Sequence, residues 1–141
     1  MYVIDASVAL RWFLTEERHP HSERVLERVL EQPGLFAVPE LFAFEVLAVL
    51  CRLHPAPERA FVEGLLPILQ GGILRHPMTE SLGVQAARYV PRGLTAYDAC
   101  YAALARELGA LWITFDRHAH EALAGEAVSW NLSDSLPPRL A

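Results

Sequence analysis

The chain contains no lysine: all 12 of its basic residues are arginine. Arginine is the better bidentate phosphate ligand, although a genome-wide or thermal bias produces the same composition. Formal net charge is -5, which excludes the uniformly basic footprint of a stand-alone nucleic-acid binder. That objection weakens if part of the acidity belongs to a metal site, where bound cations would cancel it. Cysteine is scarce as well. Cys51 and Cys100 fall in expected helices without CxxC spacing, which excludes a disulfide framework or a zinc ribbon. They are expected to be two small buried thiols in a reducing cytoplasm. No uncharged apolar run reaches the length of a membrane span, and no basic region precedes the first apolar residues. The expectation is a cytoplasmic protein with no membrane segment and no signal peptide.

What is abundant is apolar surface. Hydrophobic residues make up 52% of the 141 positions and mean hydropathy is +0.20, with charged residues at only 21%. This supplies a sizeable core for one domain, residues 1–141, and is too short for two ordinary ones. The excess hints that a partner chain covers some of the surface. Trp12, Phe13, Phe61, Leu65 and Leu66, on expected helices, are candidates for such a patch.

Short β-prone runs alternate with helical periodicity. Strands are expected at 1–4, 35–38, 73–74 and 111–114, with a last edge strand at 127–128. Helices are expected at 8–14, 21–32, 39–53, 57–69, 79–89, 95–108 and 116–123, punctuated by Pro33-Gly34, Gly71-Gly72 and Gly109. The alternation predicts an α/β sandwich with a mainly parallel sheet. There is no internal repeat, low-complexity tract or linker.

Three of the four aspartates in the chain stand at informative places. Asp5 and Asp116 follow apolar strands, and in parallel sheets the carboxyl ends of the strands form the ligand-binding edge. Both also fit helix N-caps. Asp98 fits the capping box Thr95-Ala-Tyr-Asp98, yet it leads a helix that is apolar on most sides. Glu45 is the most telling, being the one charged or polar side chain between Leu41 and the end of its apolar stretch at Cys51. A buried carboxylate needs a cation or takes up a proton. Arg11 could supply that cation, and so could a metal. Two carboxylates ~5 Å apart repel by roughly 3 kcal/mol at an effective dielectric near 20, so four together require counter-charge. All-oxygen ligands select hard ions such as Mg²⁺ or Mn²⁺. Ions of that kind activate water and clamp phosphodiesters.

The segments YVIDASVALRWFLTEE, PELFAFEVLAVL and LTAYDACYAALARELGALWITFDR resemble the PIN-domain family, and within it the VapC-type toxin ribonucleases of toxin–antitoxin pairs. The resemblance implies a three-layer α/β/α fold, cleavage of RNA with Mg²⁺ or Mn²⁺, a homodimer or higher homo-oligomer, and inhibition by a small antitoxin protein. It assigns Asp5, Glu45, Asp98 and Asp116 as metal-binding and catalytic acids, with Ser7 and Thr114 as supporting hydroxyls. The Arg-His-Ala-His run after Asp116 and the tail WNLSDSLPPRLA depart from the family pattern. Two other function classes compete: a non-catalytic PIN-like interaction module, against which the intact quartet argues, and a small-molecule phosphohydrolase, which lacks a phosphate-cradling loop. The His19-Pro-His21 and His118-Ala-His120 pairs are set aside, because helix residues two apart diverge. Trp12, Phe13, Phe42, Phe44 and Phe61 are read as core or interface side chains, with no interleaved basic residues of the kind that mark single-strand binders.

Overall fold

Five short strands form one parallel sheet in the order β3-β2-β1-β4-β5. The computed structural model describes residues 1–141. The strands are β1 (Tyr2–Ile4), β2 (Phe36–Pro39), β3 (Leu74–His76), β4 (Leu111–Thr114) and β5 (Ser129–Asn131). β1 sits at the centre, with Tyr2 in register with both Phe36 and Leu111. Every residue of β1 and β2 is buried, because a parallel sheet is covered on both faces; this is why these strands read as continuous apolar runs rather than alternating ones.

The helices are α1 (Ala6–Phe13), α2 (Pro20–Glu31), α3 (Leu41–Leu53), α4 (Pro57–Arg59), α5 (Leu66–Gln70), α6 (Glu80–Tyr89), α7 (Ala96–Leu108) and α8 (Arg117–Ala122). Local chemistry fixes many of their ends. Thr79 caps α6 by accepting from Leu82 N at 3.1 Å, and Gly109, at φ 61°, closes α7 in the left-handed region where glycine carries no Cβ penalty. The small residues Ala99, Ala102, Ala103 and Ala105 are all buried, so α7 lies close against the sheet and against α6. One cluster of 39 buried hydrophobic side chains runs through the sheet and its covering helices.

Several expectations shift. The fifth strand begins at Ser129 rather than Ala127, because Gly125 (φ 89°) and Ala127 (φ 54°) turn the chain just before it. The third begins at Leu74, one residue later than read, and runs to His76. The expected helix at 57–69 is interrupted: α4 and α5 are joined by a π-helical stretch, Ala60–Leu65. There Gly64 lets the ring of Phe13 approach so closely that a Cβ would lie 2.5 Å from Cε1.

α3 turns Phe42, Val46 and Leu50 inward, which leaves Cys51 exposed and Cys100 alone as a buried thiol. The same geometry puts Phe44, expected in the core or at an interface, at 71% exposure. Phe44, Leu53 and Val62 are among the exposed apolar side chains, and none of the five expected on the patch is. Leu65 is buried, and Trp12, Phe13, Phe61 and Leu66 pack partly against the core. No helix is long and apolar enough to cross a membrane.

Candidate active site

Asp5 leaves the carboxyl end of β1, and its backbone N–H donates to Ile113 O of β4 at 3.1 Å. Its side chain is a node. Oδ2 accepts from Ser7 N at 3.1 Å and from Thr114 Oγ1 at 3.1 Å, while Oδ1 accepts from Trp112 Nε1 at 3.2 Å. The bond to Ser7 N is the N-cap of α1, so the capping and site readings describe one arrangement. Trp112 and Thr114 reach the same carboxylate because strand residues two apart share a face.

Thr114 Oγ1 in turn accepts from Asp116 N at 3.0 Å, and Asp116 Oδ1 caps α8 by accepting from Ala119 N at 3.0 Å. Ser7 Oγ accepts from Phe115 N at 3.2 Å, tying α1 to the end of β4. The two hydroxyls therefore tie together the ends of two adjacent parallel strands, β1 and β4, from which Asp5 and Asp116 project at one sheet edge.

Asp98 occupies the first turn of α7. Only half of its capping box forms: its N–H donates to Thr95 Oγ1 at 3.1 Å, and its carboxylate, half-exposed, is left for other company. Glu45 stands on α3 with Oε1 buried and without a hydrogen-bond partner; the buried Tyr101 hydroxyl nearby has none either.

The titration of these groups reports their proximity. Burial raises Asp5, against the lowering effect of its bonds to Ser7, Thr114 and Trp112. Burial, and then the charges of Asp5 and Asp98, push Glu45 up to about 7, while the adjacent Tyr101 hydroxyl works the other way. Asp98 is raised to about 6 by burial and then by the charges of Asp5 and Asp116, with Thr95 and His118 opposing. Glu45 and Asp98 thus each feel the charge of Asp5 and of one further acid of the quartet. None takes part in any of the seven ion pairs.

Arg11 does not supply the missing cation. It donates to Glu17 O at 3.0 Å and lies 4.0 Å over the Phe115 ring. No three His, Cys, Asp or Glu side chains close into a ready metal cage. An open edge of carboxylates still fits Mg²⁺ or Mn²⁺, because small hard ions keep several waters and use one or two protein carboxylates plus substrate oxygens. The orphaned Glu45 oxygen is the specific observation in favour of that fit.

The PIN domain family matches residues 2–125. The chain belongs to the PIN-domain family. Ribonuclease VapC3 of Pyrobaculum aerophilum is 30% identical over 125 residues, covering 84% of this chain and 92% of that protein. The crystal structure of PAE2754 from the same organism is 26% identical, with TM-score 0.62, covering 91% of this chain and 82% of that one. A toxin–antitoxin complex from Klebsiella pneumoniae shares the PIN fold at 14% identity, with TM-score 0.67, 93% of this chain and 97% of that chain.

Trp112 and Tyr101 escaped the reading of the sequence. Their rings stack at 5.7 Å with 12° between planes, and each brings its polar atom to an acid of the quartet. The signals were present: Trp112 precedes Thr114 by two on a strand, and Tyr101 follows Asp98 by three on a helix. The histidine pairs need one correction. His19 lies in extended backbone before α2 and caps it by accepting from His21 N, so the two rings meet at 4.9 Å instead of diverging. His120 bonds Ser129 Oγ at 2.7 Å.

Proposed function

We propose that this PIN domain, a single unit over 1–141, is the ribonuclease toxin of a toxin–antitoxin pair, cleaving RNA phosphodiester bonds with Mg²⁺ or Mn²⁺. The observation that carries the proposal is the uncompensated carboxylate of Glu45, half-buried and close enough to Asp5 and Asp98 to feel their charges, with no cation paired to it and no donor to its buried Oε1. A site that holds such a group at neutral pH is built for positive charge from outside the chain. When bound, a divalent ion lowers the pKa of a water and neutralises a phosphate.

The chain's own residues divide the remaining work. Asp5, fixed by three donors, is the rigid ligand. Glu45, Asp98 and Asp116 present carboxylates from α3, α7 and the end of β4. The Glu45 carboxyl, raised to about 7, is partly protonated at neutral pH in the empty site and releases its proton as positive charge arrives. Thr114 and Ser7 keep the spacing between the β1 and β4 acids.

Named relatives support the partner: Ribonuclease VapC3 is the 30%-identical relative, and the Klebsiella neighbour was solved as a toxin–antitoxin complex. A small antitoxin protein and a second copy of the chain would cover apolar surface such as Phe44, Leu53 and Val62.

The experiment is cleavage of single-stranded and structured RNAs with Mg²⁺, with Mn²⁺ and with chelator, for the native chain and Asp5→Asn. It is paired with expression in bacteria with and without the neighbouring small reading frame. Metal-dependent cleavage and growth arrest, both lost in Asp5→Asn and the arrest relieved by the partner, are the expected results. A non-toxic chain that leaves every RNA intact under both metals returns the reading to a non-catalytic interaction module.

A further inference from the structure

Arg11 is a half-buried cation without an acid. None of the seven ion pairs includes it. Of its five N–H donors, one on Nη1 meets an acceptor, Glu17 O, and Nε is buried with no partner. A guanidinium this short of acceptors is arranged for an anion that comes from elsewhere.

Its surroundings say which kind. The guanidinium lies 4.0 Å over the ring of Phe115. The His19 ring stands 4.9 Å from the same ring and 4.9 Å from His21, and His21 is anchored by its Nδ1 contact to Leu132 O at 2.6 Å. Phe115 lies between Thr114 and Asp116 and donates its N–H to Ser7. Arg11 follows Ser7 by four residues on α1, on the same helix face and ~6 Å further along the axis. The cation and the rings therefore adjoin the acidic edge.

We propose that Arg11, Phe115 and His19 form a nucleotide subsite beside the acids, Arg11 taking a phosphate of single-stranded RNA and the His19–Phe115 rings taking a neighbouring base. The subsite rests on the ribonuclease reading for its substrate. It answers a problem that the quartet poses, since a row of carboxylates on a chain of charge -5 repels a polyanion until metal is bound. A guanidinium fixed on an aromatic face is pre-organised, so little side-chain freedom is lost on binding. Base–aromatic stacking accepts any sequence. An acidic protein segment would use the guanidinium and leave the rings idle, which favours RNA.

The test measures binding apart from cleavage. A fluorescent single-stranded 12-mer RNA is titrated by anisotropy against Asp5→Asn, and against the same chain carrying Arg11→Met, Arg11→Lys or Phe115→Leu, with thermal melts confirming that each is folded. Arg11→Met should weaken binding about tenfold and make the log–log salt slope shallower by about 0.7, the counter-ion release of one single-strand phosphate. Phe115→Leu should weaken binding by a similar factor with the slope unchanged. Arg11→Lys should restore the slope and only part of the affinity.

Native RNA affinity and slope in Arg11→Met, while the unsubstituted chain cleaves RNA with Mn²⁺, overturns the subsite and leaves the function standing. RNA bound through Arg11 and Phe115 but never cut keeps the subsite and removes the nuclease. Arg11-dependent binding of a polyglutamate 12-mer, with RNA affinity untouched, reassigns the surface to an acidic protein and overturns the proposal.

Discussion

Replacing Glu45 by glutamine keeps the shape of the side chain and removes its charge. With metal chelated, the native chain should lose stability as pH rises, and the sign follows from proton counting. Below about 4.5, Glu45 is protonated in both folded and unfolded chains and contributes nothing. Between 4.5 and about 7 the unfolded chain releases the proton and the folded chain keeps it, so stability falls with pH. Above about 7 both are ionised and the whole penalty is present.

The displacement from 4.5 to about 7 corresponds at face value to about 3 kcal/mol. Because the carboxylate is partly exposed, solvent screening reduces this to about 1–2 kcal/mol. Glu45→Gln should therefore be more stable than the native chain at pH 8 by that amount, roughly 3–8 °C in Tm for a domain of this size. The difference should vanish near pH 4.5. Thermal unfolding at half-unit pH steps in chelator, followed by circular dichroism, measures it. Cleavage should be lost in the same variant, so stability and activity move in opposite directions, as they do where a site stores uncompensated charge. Equal melting profiles for the two chains from pH 5 to 8, or a Glu45→Gln chain that is the less stable at pH 8, would refute the uncompensated carboxylate.

Thr114→Val removes a buried hydroxyl that donates to Asp5 and accepts from Asp116 N; unfolding in urea should show a loss of about 1–3 kcal/mol, and cleavage should fall with it. Tyr101→Phe deletes a hydroxyl that has no hydrogen-bond partner and should change stability by less than about 1 kcal/mol. Mn²⁺ at 100 times its Kd should stabilise the native chain by about 2.7 kcal/mol at pH 7.5, read as a Tm rise. Asp98→Asn should abolish that rise while itself stabilising the metal-free chain, because it removes a carboxyl raised to about 6.

Much of the architecture was legible because period and punctuation agreed. β1, β2 and β4 are continuous apolar runs, and Pro20, Thr79, Thr95 and Gly109 mark helix ends with specific backbone chemistry. The peripheral strands were misplaced by one or two residues, since β3 is partly exposed and β5 follows a positive-φ turn at Ala127 that no alanine announces. Pro67, which lacks an N–H, signals a disturbance in the 57–69 helix, but not its π-helical form, within which Gly64 packs against the ring of Phe13, some fifty residues away in sequence. At the site, the acids were legible because each breaks an apolar pattern. Their supports were not. Trp112 and Tyr101 look like core aromatics in sequence, and only the fold shows that their polar atoms end beside Asp5 and Glu45. The fate of Arg11 was open for the same reason, as charge alone did not tell a pairing with Glu45 from a seat on Phe115.

The central position of β1 has a consequence for how the chain comes into being. β1 is the strand that the others in the sheet must find: Asp5 bonds to side chains 107 and 109 residues later, and β1 is paired on both edges. At ~5–20 residues per second of synthesis, Asp5 waits on the order of ten seconds for the residues that fix it. Long-range parallel pairing then slows closure further. The sheet edge that carries Asp5 and Asp116 therefore cannot form until β4 has been made, so a nuclease of this design stays harmless to the ribosome and message while that strand is still to come.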